Sequence, residues 1–296
     1  MSKLLKTKKV LECTLSDYGI RNSYKMQRRP RSSQLILNDD YQGVRVFDPL
    51  HGESIISVGF TDLYDPSGII NFWCLRDDGN AILVMHEENR RASLLSLTGA
   101  ASYDLECPPL ERLYDLRYWW SGDEMWLTGA GSFKYFKLEW DNGQPKFVES
   151  TSIRARIAQT AWTRATDKLD SFDCNVEKVE MDASRFIFNC HKGVSPLLGV
   201  IDWANESEWT TPARYAPRLA FHDGDEKLMI VAHDKYEDVR AYNQNGVMRA
   251  AFSIEANYIL SEIEVLPKTI NRAAMLAMLS QSFDSKSSRL TLYELP

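Results

Sequence analysis

The sequence lacks the signatures of the common enzyme chemistries. No GxSxG elbow, Walker loop, HExxH pair or glycine-rich dinucleotide fingerprint occurs in its 296 residues. The usual nucleophilic, phosphate-binding and zinc-dependent sites therefore have no signal here. This absence favours a non-catalytic protein and leaves catalysis as the alternative.

Cysteine is scarce and widely scattered. The chain has five cysteines, an odd number, and none of them forms a CxxC pair. This spacing indicates neither a disulfide framework nor a zinc site, and it fits free thiols in a reducing compartment. We expect a cytoplasmic protein without cofactor or metal. The cysteines are Cys13, Cys74, Cys107, Cys174 and Cys190.

Long apolar runs are also missing. The apolar stretches are strand-sized and interrupted by charge, far short of the roughly 20 residues that cross a bilayer. The N-terminal residues MSKLLKTKK carry charge, but no apolar segment of about 7–15 residues follows, as a secretory signal would require. We expect no membrane association.

Charge is unevenly distributed along the chain. Residues 1–31 carry a net charge of +7, and because the whole chain is at −6, the remainder carries −13. An acidic body argues against nucleic acid as a partner and favours a basic protein, which electrostatic attraction would steer to it. The basic N-terminal region is interpreted as a solvated edge.

A strand-rich motif recurs six times. Its copies begin at Val44, Ser93, Tyr135, Leu198, Val239 and Leu290, with spacings of 49, 42, 63, 41 and 51 residues. Two further apolar, β-rich segments precede each copy, and a fourth follows each of the first five. Turns rich in Asn-Gly, Asp-Gly and Ser-Gly separate the segments, as in antiparallel hairpins. The pattern predicts four-stranded units repeated along the chain.

The first predicted strand, KVLECTL at 9–15, has no neighbour in sequence with which to pair. The sixth unit ends at Pro296 without a fourth strand of its own. We therefore expect the N-terminal strand to pair with the last one, Arg289–Leu295.

The segments LEWDNG and VIDWAN place aspartate and tryptophan near the end of a third strand. In this the chain resembles the WD-repeat-like β-propellers, although the glycine-histidine half of their signature is absent. The resemblance implies architecture alone: an all-β, six-bladed propeller spanning 1–296 as a single domain, closed by the N-terminal strand. The long interval holds an insertion at about 151–174, where Ile153–Leu169 has helical periodicity. Seven blades is the alternative.

A propeller places the second-to-third strand turns on one face, which we call the top. The predicted top loops combine aromatic rings with carboxylates, a composition suited to protein binding, since rings supply contact area and acids steer a basic partner. The helical insertion around Trp162 is a second candidate. The candidate partner-binding residues are Asp39, Asp40, Tyr41, Asp62, Tyr64, Asp65, Glu87, Glu88, Trp162, Asp234, Tyr236, Asp238 and Phe283.

Two functions follow from these observations. The first is a non-catalytic propeller that binds a basic protein, either as an immunity or antitoxin-type protein that masks a toxin or as an adaptor. The second is a propeller hydrolase or lyase that uses bottom-face carboxylates at the channel mouth, with or without calcium. These carboxylates lie in sequences such as RDDG and HDGD, which tight turns also require. We therefore favour the first function.

Overall fold

A computed structural model describes most of the chain. The described residues are 7–40, 42–60, 72–76, 78–86, 91–98, 102–106, 117–121, 124–129, 132–152, 174–179, 185–192, 195–202, 207–212, 218–232, 238–243, 245–284 and 286–295. The predicted helical insertion, at 153–169, lies outside these ranges.

The described residues form 24 strands in six antiparallel sheets of four. The strands are β1 Lys8–Thr14, β2 Met26–Arg28, β3 Leu35–Asn38, β4 Gly43–Asp48, β5 Glu53–Gly59, β6 Phe72–Leu75, β7 Ala81–His86, β8 Arg91–Ser96, β9 Tyr103–Glu106, β10 Arg117–Ser121, β11 Glu124–Gly129, β12 Ser132–Asp141, β13 Gln144–Glu149, β14 Cys174–Val179, β15 Arg185–Lys192, β16 Ser195–Asp202, β17 Ser207–Pro212, β18 Leu219–Asp223, β19 Lys227–Ala232, β20 Asp238–Asn243, β21 Met248–Ser253, β22 Tyr258–Leu266, β23 Met275–Ser282 and β24 Ser288–Glu294. Each of the predicted β-rich segments overlaps one of these strands.

Five sheets consist of four strands consecutive in sequence, and the sixth has the order β1-β24-β23-β22. The expected pairing of the N-terminal strand with the last strand is therefore confirmed. It is antiparallel, running from Lys8 opposite Glu294 to Thr14 opposite Arg289. Cys13 lies in this strand as a free thiol, and burial raises its pKa to about 11.

The chain divides into two compact units, residues 1–62 with 214–296 and residues 63–213. The first unit contains the sheets β2–β5, β18–β21 and β22–β24 with β1. The second contains β6–β9, β10–β13 and β14–β17. In each described sheet, adjacent strands are antiparallel and consecutive in sequence, except that β1 pairs with β24.

Apolar residues from neighbouring sheets of the first unit form its core. One buried cluster joins Leu35 and Phe47 of the first sheet to Leu266 and Leu292 of the last. A second cluster joins Ile230 and other residues of β18–β21 to the other face of the last sheet. The last sheet is thus buried on both faces, which explains why the first five residues of β23, MLAML, are all apolar and buried.

The segment that connects β1 to β2 contains a helical turn that no sequence pattern predicted. Leu15–Tyr18 form one turn of 3-10 helix, in which Leu15 is fully buried. Gly19 ends the turn at a φ of 74°, a left-handed conformation that suits glycine. The ring of Tyr18 packs at 5.2 Å from that of Phe47, so the connection is attached to the first sheet.

Candidate protein-binding surface

We define the top edge of a sheet as the end where its second strand meets its third, and the bottom edge as the opposite end. Four predicted binding residues lie at top edges of the first unit within the described ranges: Asp39, Asp40, Asp238 and Phe283. The others lie outside the described residues: Tyr41, Asp62, Tyr64, Asp65, Glu87, Glu88, Trp162, Asp234 and Tyr236.

Asp39 is buried, in contrast to the exposed steering charge expected of it. Its residue exposure is 5%, and its carboxylate accepts hydrogen bonds from the backbone N–H and Nε of Arg21, at 3.0 and 3.3 Å, and from Nε of Arg45 at 2.9 Å. Burial by itself raises the pKa of Asp39, but these hydrogen bonds outweigh it and lower that pKa below its usual value. The carboxylate holds the turn in place, and two guanidinium groups neutralise its charge.

The residue before it, Asn38, is the centre of a buried hydrogen-bond network. Its Oδ1 accepts from the backbone N–H groups of Tyr24 and Lys25, at 2.9 and 2.7 Å, and from Oγ of Ser23 at 3.1 Å. Its Nδ2 donates to the carbonyl oxygen of Asp40 at 3.0 Å. One 1%-exposed side chain therefore satisfies the backbone of the segment that enters β2.

The same network reaches the last sheet. Ser288, the fully buried first residue of β24, accepts a hydrogen bond from the backbone N–H of Ser23 at 2.7 Å and donates to its carbonyl at 2.8 Å. Nε2 of Gln281 donates to Oδ1 of Asn22 at 2.8 Å. The network joins the top edges of the first and last sheets, and no sequence pattern indicated it because its members are about 260 residues apart.

The remaining two aspartates differ in environment. Asp40 is half-buried in the β3–β4 turn with a φ of 56°, a left-handed conformation that aspartate tolerates better than most residues. Asp238, at the start of β20, accepts a hydrogen bond from Nε of Arg240 at 2.8 Å. Its charge is thus partly neutralised within its own strand.

Phe283 is an exposed aromatic residue, with 56% of its surface exposed. It follows β23, and hydrogen bonds connect the described residues on either side of it. Oγ of Ser282 donates to Asp284 Oδ1 at 2.6 Å and accepts from the backbone N–H of Ser287 at 3.1 Å. The backbone N–H of Phe283 donates to the carbonyl of Asn257 at 3.1 Å. The ring is therefore presented to solvent between hydrogen-bonded residues.

A carboxylate lies directly beside this ring. Asp284 is exposed, and hydrogen bonds from Ser282 Oγ and the backbone N–H of Lys286 lower its pKa. Its only ion-pair partner in the described residues, Lys286, is at 3.9 Å and is itself 81% exposed, so the pair is weak. Phe283 and Asp284 thus form the exposed combination of an aromatic ring and an acid that the sequence predicted for this loop.

An arginine supports the surface next to Phe283. The guanidinium of Arg289 lies 4.4 Å from the ring centroid of Tyr258, forms an ion pair with Glu12 at 3.2 Å and contacts Glu255. Sequence reasoning missed this cluster, since its members come from β1, β22, β24 and a loop. It orders the top edge of the last sheet with charges that offset one another.

The enzyme hypothesis depends on carboxylates at the bottom edges, and the structure describes only some of them. In the β6–β7 turn, Asp78 Oδ1 accepts the backbone N–H of Asn80 at 2.9 Å, and Gly79 adopts a φ of 74°. This is the turn chemistry favoured from the sequence. Among the residues that the structure describes, no group of three or more His, Cys, Asp or Glu side chains is arranged to hold a metal ion.

No protein-family model and no curated protein matches this chain. Solved structures do match. The β-propeller domain of Cps50 (Swd1) from Myceliophteria thermophila is similar over 93% of this chain and 98% of that one, with 10% identity and a TM-score of 0.54. Raptor from Chaetomium thermophilum is similar over 93% of this chain and 28% of its own length, with 10% identity and a TM-score of 0.50.

At this level of identity the likeness concerns the fold alone, and it shows a propeller-type fold. The resemblance to β-propellers drawn from the sequence is therefore confirmed. Within the described part of the chain, no helix has the length and apolar character needed to span a membrane.

Proposed function

We propose that this chain is a non-catalytic, protein-binding propeller whose top face holds a basic segment of a partner protein. Both forms suggested by the sequence, an immunity-type protein that masks a basic toxin and an adaptor subunit, use such a face. The observation that carries the proposal is Phe283, an exposed ring beside the ionised Asp284.

The proposed architecture is a six-bladed ring in one domain, in which β1 completes the last blade. Support comes from the six four-stranded sheets in the described residues, from the β1–β24 pairing and from the similarity to a propeller domain over nearly the whole chain. In such a ring the predicted top loops lie on the same face as Phe283. Their acids would then add to the field that Asp284 provides.

The contributions of the described acids differ. Asp284 is exposed to a partner, whereas the charge of Asp39 is neutralised by two arginines and that of Asp238 by one. We therefore assign recognition by contact to Phe283 and electrostatic steering to Asp284 and the loop acids. Asp39 is assigned a supporting role in the turn.

The test compares Phe283→Ala with a matched control, Ile55→Ala, which removes a 48%-exposed apolar side chain from β5. Tagged wild-type protein is used to isolate stoichiometric partners from the native host, and the partner is then produced separately. Burial of an anchoring ring is worth about 2 kcal/mol or more, chiefly through the dissociation rate. We expect Phe283→Ala to speed dissociation at least about tenfold, with Ile55→Ala within about twofold of wild type.

Charge reversal at Asp284 tests the steering role. Asp284→Lys should slow association with a basic partner and reduce the dependence of the association rate on salt, since exposed charges act mainly on encounter. A stoichiometric partner that binds both variants at wild-type rates would place the binding surface elsewhere. Recovery of no partner from the host would count against the proposed function as a whole.

A further inference from the structure

Two loops lie side by side at the bottom edge of the first and last sheets. The turn at 29–34 joins β2 to β3, and the loop at 267–274 joins β22 to β23. Leu35 at the end of the first loop and Leu266 and Met275 at the two ends of the second belong to one buried cluster with Phe47. The cluster holds the bases of the two loops together.

Both loops are basic and contain no acid. Neither 18–38 nor 265–283 includes an aspartate or glutamate. The loops and the strand ends beside them carry five cationic side chains. Arg29 donates a hydrogen bond to Oε1 of Gln34 at 2.9 Å, and the other four, Arg28, Arg31, Lys268 and Arg272, are called the basic bottom surface. None of these four side chains forms an ion pair with another described residue. The arginines at the top edge, by contrast, are paired with carboxylates.

One nitrogen of Arg272 lacks a hydrogen bond. This nitrogen, Nε, is buried and has no hydrogen-bond partner. A buried N–H without an acceptor is less stable than one that is satisfied, because it has lost its hydrogen bonds to water. An incoming carboxylate that bonds the guanidinium group and draws it outward would relieve that cost, so the site favours a ligand rich in acceptors.

Hydrogen bonds hold both loops in defined conformations. The backbone N–H of Arg29 donates to Gln34 at 2.9 Å, and that of Gln34 donates to Oγ of Ser32 at 3.0 Å. In the second loop, the backbones of Thr269 and Arg272 exchange hydrogen bonds of 2.9 and 3.3 Å across a two-residue turn. The cationic groups therefore project from ordered backbone, which reduces the entropy lost on binding.

The turn between Thr269 and Arg272 presents an apolar side chain at its tip. Ile270 is fully exposed, at 103% of its reference area. A β-branched aliphatic residue at the tip of a two-residue turn is unusual, because such turns favour Asn, Asp and Gly. Exposed apolar side chains surrounded by charge are a common feature of contact sites between proteins.

We propose that the basic bottom surface docks an acidic segment of a second partner protein, whose carboxylates meet Arg31, Lys268 and Arg272 and whose apolar side chain packs on Ile270. Charge complementarity commits the site to an acidic partner, opposite in sign to the partner proposed for the top face. A protein segment is favoured over nucleic acid because the chain as a whole is at −6 and neither loop contains an aromatic residue for base stacking.

The test uses three fluorescein-labelled peptides of the same length: one of alternating glutamate and leucine, and two in which glutamine or lysine replaces glutamate. Binding to the full-length protein is followed by fluorescence anisotropy at several salt concentrations. A labelled single-stranded oligonucleotide of equal charge to the acidic peptide is the fourth ligand.

The variant Arg31→Gln with Lys268→Gln removes two charges of the surface, both on exposed side chains. Its matched control, Lys8→Gln with Lys146→Gln, removes the same net charge at exposed positions elsewhere. We expect wild type and control to bind the acidic peptide within about twofold of each other, the test variant to bind at least about tenfold more weakly, and Ile270→Ala to bind several-fold more weakly.

The remaining outcomes each overturn the proposal. Equal binding by test and control variants would mean that general charge, and not this surface, attracts the peptide. Binding of the glutamine peptide as tightly as the glutamate peptide would remove the charge argument. Tighter binding of the oligonucleotide would make this a nucleic-acid surface, and no binding of any ligand would leave it without the proposed role. None of these results bears on Phe283 or the top face.

Discussion

The top and bottom edges of the first and last sheets differ in whether their arginine and lysine side chains form ion pairs. At the top, Arg21, Arg45 and Arg289 all pair with carboxylates. At the bottom, Arg31 and Lys268 project from ordered loops without an ion pair to any described residue. The top-edge ion pairs neutralise their charges within each sheet, and neutral hydrogen bonds such as that between Ser288 and Ser23 join the two sheets. The four cations of the basic bottom surface have no such carboxylate partner among the described residues.

The contrast also separates structural from binding roles in residues of the same type. An arginine whose partner is a buried carboxylate contributes to stability, because breaking the pair leaves a charge buried. An exposed arginine without a partner contributes little to stability. The following predictions examine this difference through the free energy of unfolding, from the largest expected effect to the smallest.

Deletion of residues 1–14 should have the largest effect, because it removes β1 and exposes the edge of β24 along its whole length. With roughly 1 kcal/mol lost per backbone hydrogen bond and further loss from exposed apolar area, we expect a fall of about 5 kcal/mol or more. Denaturant unfolding and size-exclusion chromatography measure the loss and the resulting aggregation. Deletion of residues 1–6 keeps β1 and is the control. Equal stability of the two deletions would show that β1 does not support the last sheet.

Asn38→Ala should have the second-largest effect on the free energy of unfolding, since it leaves the backbone N–H groups of Tyr24 and Lys25 without their acceptor at a buried site. We expect a loss of about 3 kcal/mol, the cost of leaving one or two buried donors unsatisfied. Asn271→Ala, at the exposed tip of the bottom loop, is the matched control and should change stability by less than about 0.5 kcal/mol. Similar losses in the two variants would contradict the structural role of the top network.

Asp39→Asn should have a smaller and pH-dependent effect. Because the folded-state pKa of Asp39 is lowered, its ionised form contributes stability that is present above the unfolded-state pKa and is lost as the pH falls through the folded-state value. We expect the variant to be less stable by about 1–3 kcal/mol at pH 7. The difference from wild type should shrink below about pH 4. A difference that stays constant across this range would argue that the charge of Asp39 is unimportant.

The combined variant Arg31→Gln and Lys268→Gln should have the smallest effect on stability, within about 0.5 kcal/mol of wild type, since neither side chain pairs with a described carboxylate. The measurement is again denaturant unfolding at neutral pH. Arg45→Gln, which breaks a pair with buried Asp39, provides the contrast and should lose more than about 1 kcal/mol. A marked loss in the bottom variant would mean that these cations stabilise the fold and are not available for a partner.

Local sequence patterns predicted the strands well. Alternating apolar residues and turn-forming Asn-Gly and Asp-Gly pairs depend on a few neighbouring residues, so each predicted β-rich segment overlaps a strand of the structure. The pairing of β1 with β24 was also predictable, because the last unit lacked a strand and the N-terminus had an unpaired one. The 3-10 turn at Leu15–Tyr18 was not predicted, since it depends on burial of Leu15 in a core built by distant strands.

The candidate surface was predicted less completely. Phe283 is exposed and has the carboxylate of Asp284 beside it in sequence, as expected of a top loop, and its role in binding stays a prediction. Asp39 did not match the role expected of it. Its neighbours Arg21 and Arg45 occupy the surrounding space only after two strands and a connecting segment have folded together.

By itself, the sequence predicted the order of the strands found in the described residues, the terminal pairing and the acidic balance of the chain, since these follow from short-range patterning and composition. Only the tertiary structure decided which charges are neutralised and which are exposed. It buried Asp39 between two arginines, and it placed the basic loops at 29–34 and 267–274 side by side. The reason is that both outcomes depend on distances between groups in three dimensions: Asp39 lies 18 residues from Arg21 and 6 from Arg45, whereas the two loops are more than 200 residues apart, and the folding of the strands sets all of these distances.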